Sequence, residues 1–104
     1  MDDIQRRALT TWHSAAFPDH LQRTHAALGL VGEAGEYAEM VKKDLFKPGY
    51  KSGSVNRLDE LGDVLYYLAI LAHLDGCTID ELSQRNAAKL SGGHGWQPDN
   101  YNAG

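Results

Sequence analysis

The segment from Ser54 to Leu74 constrains this chain more than any other. Leu58, Leu61, Leu65, Leu68 and Ala72 recur at helical spacing along one face, and Val64, Tyr67, Leu71 and Leu74 along another. A helix that is apolar nearly all round must be covered on every side, and a chain of 104 residues has few elements to cover it with. The pattern therefore predicts an all-α domain in which pairing with a second subunit covers what the chain's own helices leave bare. The plainer reading is one internal core helix of a monomer. Composition favours helix over sheet in either case, since Leu and Ala number 25 and Val and Ile only 7.

Three further helices are expected around it. Ile4, Ala8, Trp12 and Ala15 predict a helix from about Ile4 to Ala16, interrupted by Phe17-Pro18-Asp19. Leu30, Ala34, Tyr37, Val41 and Leu45 form the apolar stripe of a second, from about Leu21 to Leu45, with Lys42, Lys43 and Lys47 near the negative end of its dipole. Residues 47–53 have loop chemistry, and Ser54 is the expected N-cap of the long helix. Asp75-Gly76-Cys77 makes a turn, Thr78 and Glu81 form a capping box that opens the last helix, and Gly92-Gly93 ends it. The domain is expected over residues 1–93, followed by a polar, flexible tail at 94–104.

Charge and cysteine content exclude several classes. Ten Lys and Arg against 14 Asp and Glu leave a net charge of −4, the wrong sign for a protein that grips a nucleic-acid polymer through its phosphates. Cys77 is the single cysteine, so no internal disulfide forms and a reducing compartment fits. The start of the chain is acidic where a signal peptide would be basic. The longest apolar run, Val64 to Ala72, is nine residues, against the ~20 that a membrane-spanning helix needs. A cytoplasmic protein without a membrane partner is the expectation.

The acids carry the chemical information. Glu33 and Glu36 on the second helix, and Glu60 and Asp63 on the third, each stand at i and i+3, one turn apart on one face. Four converging carboxylates repel unless protons or cations compensate, and oxygen-only ligation suits hard cations, Mg²⁺ with Mn²⁺ as a substitute. Either pair alone reads as ordinary surface acids. Both pairs together, each beside a helical glycine and leading into apolar stripes, point to a metal site. Gly29, Gly32, Gly35 and Gly62 lie inside helices, where each costs ~1 kcal/mol relative to Ala; close approach of a neighbouring helix or a ligand is the usual compensation. Glu39 continues the series from Glu36 but also stands four before Lys43, an ordinary surface ion pair.

The pattern Glu33-x-x-Glu36, 23 residues, then Glu60-x-x-Asp63, in the contexts GEAGEYAE and DELGDVLYYL, resembles the MazG-type nucleoside triphosphate pyrophosphohydrolases of the all-α NTP pyrophosphatase superfamily. The resemblance runs from Leu28 to Leu90. It implies an all-α, four-helix-type bundle completed by dimerisation, as a homodimer or a homotetramer built from two dimers, and hydrolysis of a nucleoside triphosphate between its α- and β-phosphates, giving the monophosphate and pyrophosphate with Mg²⁺. Glu33, Glu36, Glu60 and Asp63 match the metal ligands, and Asn86 with Lys89 match a polar and basic pair near the phosphates. Where many relatives carry a second Glu before the first motif glutamate, this chain has Gly32, and where many carry a late basic residue it has Gly92-Gly93-His94.

Charge also suggests the division of labour. Glu33 or Glu36 is the candidate acceptor of the attacking water's proton, and Lys89, Lys43 and Arg85 are candidates to neutralise the leaving pyrophosphate. Trp12 is the preferred stacking contact for the base, chosen from Trp12, Tyr37, Tyr66, Tyr67 and Trp96. The alternative from another class is a helical domain that senses nucleotides without turnover; within the superfamily, dUTP, dCTP or phosphoribosyl-ATP hydrolysis shares the architecture.

Overall fold

A computed structural model describes residues 1–92; the expected tail at 94–104, with His94 and Trp96, lies outside the described residues, as does Gly93. Among the described residues the chain forms α1 (Asp3–Leu9), α2 (Asp19–Phe46), α3 (Ser54–Leu74) and α4 (Ile79–Leu90), with no strand. Asp2 opens α1 by a reciprocal cap: its carboxylate accepts from the Gln5 N–H at 2.9 Å, and Gln5 Oε1 accepts from the Asp2 N–H at 3.1 Å. Its other oxygen accepts from the Ile79 N–H at 2.8 Å, so one side chain caps two helices. These backbone donors, Gln5 foremost, hold the Asp2 carboxyl below the usual carboxylate range. Thr78 and Glu81 form the capping box that the sequence predicts, with Thr78 Oγ1 accepting from the Glu81 N–H at 3.0 Å.

Two boundaries differ from expectation. The first helix ends at Leu9 and not at Ala16, because Thr10 and Thr11 turn their hydroxyls onto the carbonyls of Arg7 and Ala8 while the backbone tightens into i to i−3 bonds. Ser54 is the first helical residue of α3, and Gly53, at φ +77°, occupies the cap position.

α2 and α3 run antiparallel, and a buried serine fixes the loop between them. Asp44 accepts from the Ser52 N–H at 2.7 Å and from its hydroxyl at 2.5 Å, while Arg57 donates to Ser52 Oγ at 2.7 Å. Ala8, Trp12, Ala26, Ala69 and Ile70 form the buried core, where α1, the N-terminal half of α2 and the C-terminal half of α3 meet. Nothing among the described residues covers the other half of the hairpin. Leu45 is 75%, Phe46 73% and Leu58 64% exposed. The stripe expected to be the core face of α2 is accordingly half-buried at Leu30 and Tyr37 and open at Ala34, Val41 and Leu45. No described helix is long and apolar enough to cross a membrane.

Candidate metal centre

The antiparallel hairpin places Glu33 of α2 opposite Glu60 and Asp63 of α3, one turn apart on a shared face. One carboxylate oxygen from each lies within 4.8 Å of the others; Glu33 and Glu60 are half-buried and Asp63 is exposed. Glu36 is exposed one turn beyond Glu33 and stands outside this group of three, although its charge reaches Glu60. The expected convergence of four is therefore three acids with a fourth at the rim. Among the described residues, no Lys or Arg forms an ion pair with any of them: Arg6 pairs with Asp3, Arg23 with Asp75, Arg57 with Asp44, and Lys42 and Lys43 with Glu39.

Glu60 Oε1 is buried and no donor reaches it while its neighbours are ionised. A proton shared with Glu33, together with burial and the charges of Glu33, Asp63 and Glu36, pushes the Glu60 carboxyl up to about 7. Burial first, then the charges of Glu33 and Asp59, pushes Asp63 up as well. Asp59 is a contributor that the sequence reading passed over, although its place four residues before Asp63 put it on the same face. A half-buried carboxylate with an orphaned oxygen, two acidic neighbours and no basic partner calls for a proton or a cation. The all-oxygen donor set of Glu33, Glu60 and Asp63 fits a hard divalent ion such as Mg²⁺ or Mn²⁺.

The remaining candidates are not gathered there. Trp12, expected to stack on a base, belongs to the core: it is 6% exposed, its ring stacks on His25 at 4.7 Å, and its indole N–H donates to Gln22 Oε1 at 2.8 Å. One face of the indole is stacked and its polar tip is hydrogen-bonded within the fold, and Tyr66 and Tyr67 add T-shaped contacts. Lys43 lies 3.8 Å from Glu39 and 5.8 Å from the Tyr50 ring centroid, the surface pairing that its spacing allowed. Asn86, Arg85 and Lys89 are exposed on α4, which buries none of its residues and packs lightly on α3. A shallow cavity of about 210 Å³ between α1 and α3 is lined by Ile4, Arg7, Ala8, Gly62, Leu65 and Tyr66, and reaches the residue beside Asp63.

This geometry meets an independent sequence comparison. The family model of the MazG nucleotide pyrophosphohydrolase domain matches residues 22–96, a span that holds Glu33, Glu36, Glu60, Asp63, Asn86 and Lys89. The chain belongs to the MazG family. The match begins within α2, so the MazG domain's acids and α4 lie inside it while α1 and Trp12 lie outside. The Gene 37 protein of Mycobacterium phage L5 is similar, 43% identical over 70 residues that make up 64% of this chain and 61% of that protein. The MazG chain thus spans about three fifths of that relative's length. No solved structure matches it.

Proposed function

We propose that this protein is a Mg²⁺-dependent nucleoside triphosphate pyrophosphohydrolase, cleaving (d)NTP between the α- and β-phosphates to (d)NMP and pyrophosphate. The observation that carries the reading is the convergence of Glu33, Glu60 and Asp63 within 4.8 Å, without a basic partner and with a buried carboxylate oxygen left over. Membership of the MazG family supports the reaction class. The three carboxylates would hold the cation, Mg²⁺ or Mn²⁺ in its place; when bound, it supplies neutralisation of the triphosphate and an acidified water. Glu36, exposed at the rim, and Glu33 are the bases available to the attacking water, and Glu36 is the freer because it stands outside the group of three. Asn86 and Lys89 bind the phosphates from α4.

The uncovered half of the hairpin supports the rest of the reading. Leu45, Phe46, Leu58 and Leu61 are the contact surface of a second copy, so residues 1–93 work as a homodimer or a homotetramer in the cytoplasm. In that assembly the exposed face of α4 is available to a neighbouring acidic site. The test is release of pyrophosphate from individual dNTPs and NTPs with Mg²⁺. The expected result is release from at least one nucleotide, abolished by chelation and by Glu60→Gln. A chain that binds Mg²⁺ and nucleotide yet releases no pyrophosphate from any of them overturns the enzyme in favour of a sensor.

A further inference from the structure

A cation site divided between two helices is only as well formed as the gap between them. Glu33 stands on α2 and Glu60 and Asp63 on α3, and one turn from the acids, toward the core, the two helices approach closely at Gly29 and Tyr67. Gly29 precedes Glu33 by four residues and Tyr67 follows Asp63 by four, so each lies on the acid-bearing face of its helix. A Cβ on Gly29 would stand 2.4 Å from Cε1 and from Cζ of Tyr67 and 2.7 Å from Cδ1. The ring therefore rests against bare backbone.

Tyr67 has little room to retreat. Tyr66 meets its ring at 5.1 Å and 82°, Trp12 at 6.5 Å and 83°, and His25 lies 6.3 Å away. Trp12 is itself held by Gln22, which donates to the carbonyls of Ala15 and Phe17. Burial, then the charges of Glu33, Tyr66 and Asp63, push the Tyr67 phenol upward. At Gly32, Gly35 and Gly62, by contrast, an added Cβ meets nothing within 4 Å.

We propose that the seating of the Tyr67 ring on Gly29 sets the separation of α2 and α3 at the carboxylates, making Tyr67 a positioning residue for cation binding by Glu33, Glu60 and Asp63. The inference rests on the cation site proposed above. It has a consequence that general stability does not share. Mg²⁺ requires near-ideal octahedral ligation at about 2.0–2.1 Å, whereas Ca²⁺ accepts about 2.3–2.6 Å and irregular geometry. A change in the gap should therefore weaken Mg²⁺ more than Ca²⁺.

The test is calorimetric titration of the full chain with Mg²⁺ and with Ca²⁺, with helicity followed by circular dichroism. Gly29→Ala, which wedges the gap, and Tyr67→Leu, which removes the spacer, should each lower Mg²⁺ affinity by about 10- to 100-fold, the range found when groups supporting metal ligands are altered, and Ca²⁺ affinity by less. Tyr67→Phe keeps the ring and should bind Mg²⁺ as the wild type does. Combining Gly29→Ala with Tyr67→Leu should recover part of the Mg²⁺ affinity lost in either alone. Folded Tyr67→Leu with wild-type Mg²⁺ affinity, or equal loss of both ions in the single variants with no recovery in the double, overturns the positioning role while leaving the cation site standing. A wild-type chain that binds neither ion overturns the site itself, and the positioning role with it.

Discussion

Two carboxylates held close together cannot both ionise without cost, and Glu60 has Glu33, Asp63 and Glu36 around it. Its folded-state value of about 7 lies above the ordinary 4.5, so the folded chain holds this proton more tightly than the unfolded one. Without a cation, the stability contributed by that proton is complete below about pH 4.5 and is lost as the pH rises through about 7. Thermal melts in chelator should show the midpoint of the wild type falling relative to Glu60→Gln across that interval. Mg²⁺ should reverse the fall above pH 7, since it replaces the lost proton; equal pH profiles for the two proteins would contradict the coupling. The shared face of Glu60 and Asp63 was legible in the sequence because i, i+3 spacing fixes a common helix face regardless of what packs around it, whereas the place of Glu36 outside the group that Glu33 joins was not. Trp12 was not, because burial of its indole depends on Gln22, ten residues on, and on aromatics from α3, which no local spacing reveals. Trp12→Ala should accordingly lower stability by about 3–5 kcal/mol in denaturant titration, an effect on folding and not on nucleotide preference.

At the scale of elements, the helical glycines divide into two kinds. Gly29 has a packing reason within the chain, the close approach that an interior glycine suggests. Gly32, Gly35 and Gly62 have none among the described residues. Replacing Gly35 or Gly62 by Ala should stabilise the isolated chain by about 0.5–1 kcal/mol through helix propensity. If a second copy approaches those backbones, the same substitutions should raise the dissociation constant of the oligomer, and a concentration series of denaturant melts separates the two effects. The elements themselves were readable where caps are local, as with Thr78 and Glu81, and where apolar spacing is sustained, as along α3. The end of α1 was not, because the spacing of Trp12 and Ala15 is compatible with helix while Thr10 and Thr11 divert the backbone. The stripe on α2 was read correctly as a helix face but not as to what covers it, since periodicity shows that a face is apolar and is silent on which partner buries it.

For the whole molecule, charge and apolar surface lead to linked conclusions. Apart from Glu33, Glu36, Glu60 and Asp63, the remaining acids equal the Lys and Arg in number, so the net charge of −4 equals the charge of the proposed site's three acids and Glu36 at its rim. That site borders the half of the hairpin left without a covering, where Leu45, Phe46 and Leu58 are each more than 60% exposed. Burying a large apolar side chain contributes about 1.5–3 kcal/mol, so these three and their neighbours represent a large share of the stability a small domain can have. Light scattering should therefore return a dimer or larger, and the thermal midpoint should rise with protein concentration. Leu58→Glu or Phe46→Glu should shift the protein toward monomer and abolish that concentration dependence without removing a carboxylate. If the acids are complete within one chain, the monomeric variant keeps its Mg²⁺ affinity; if α4 of a second copy supplies Lys89 to the phosphates, it loses nucleotide affinity while Mg²⁺ binding persists. A wild-type chain that remains an 11.4 kDa monomer at every concentration would defeat the argument from uncovered apolar surface.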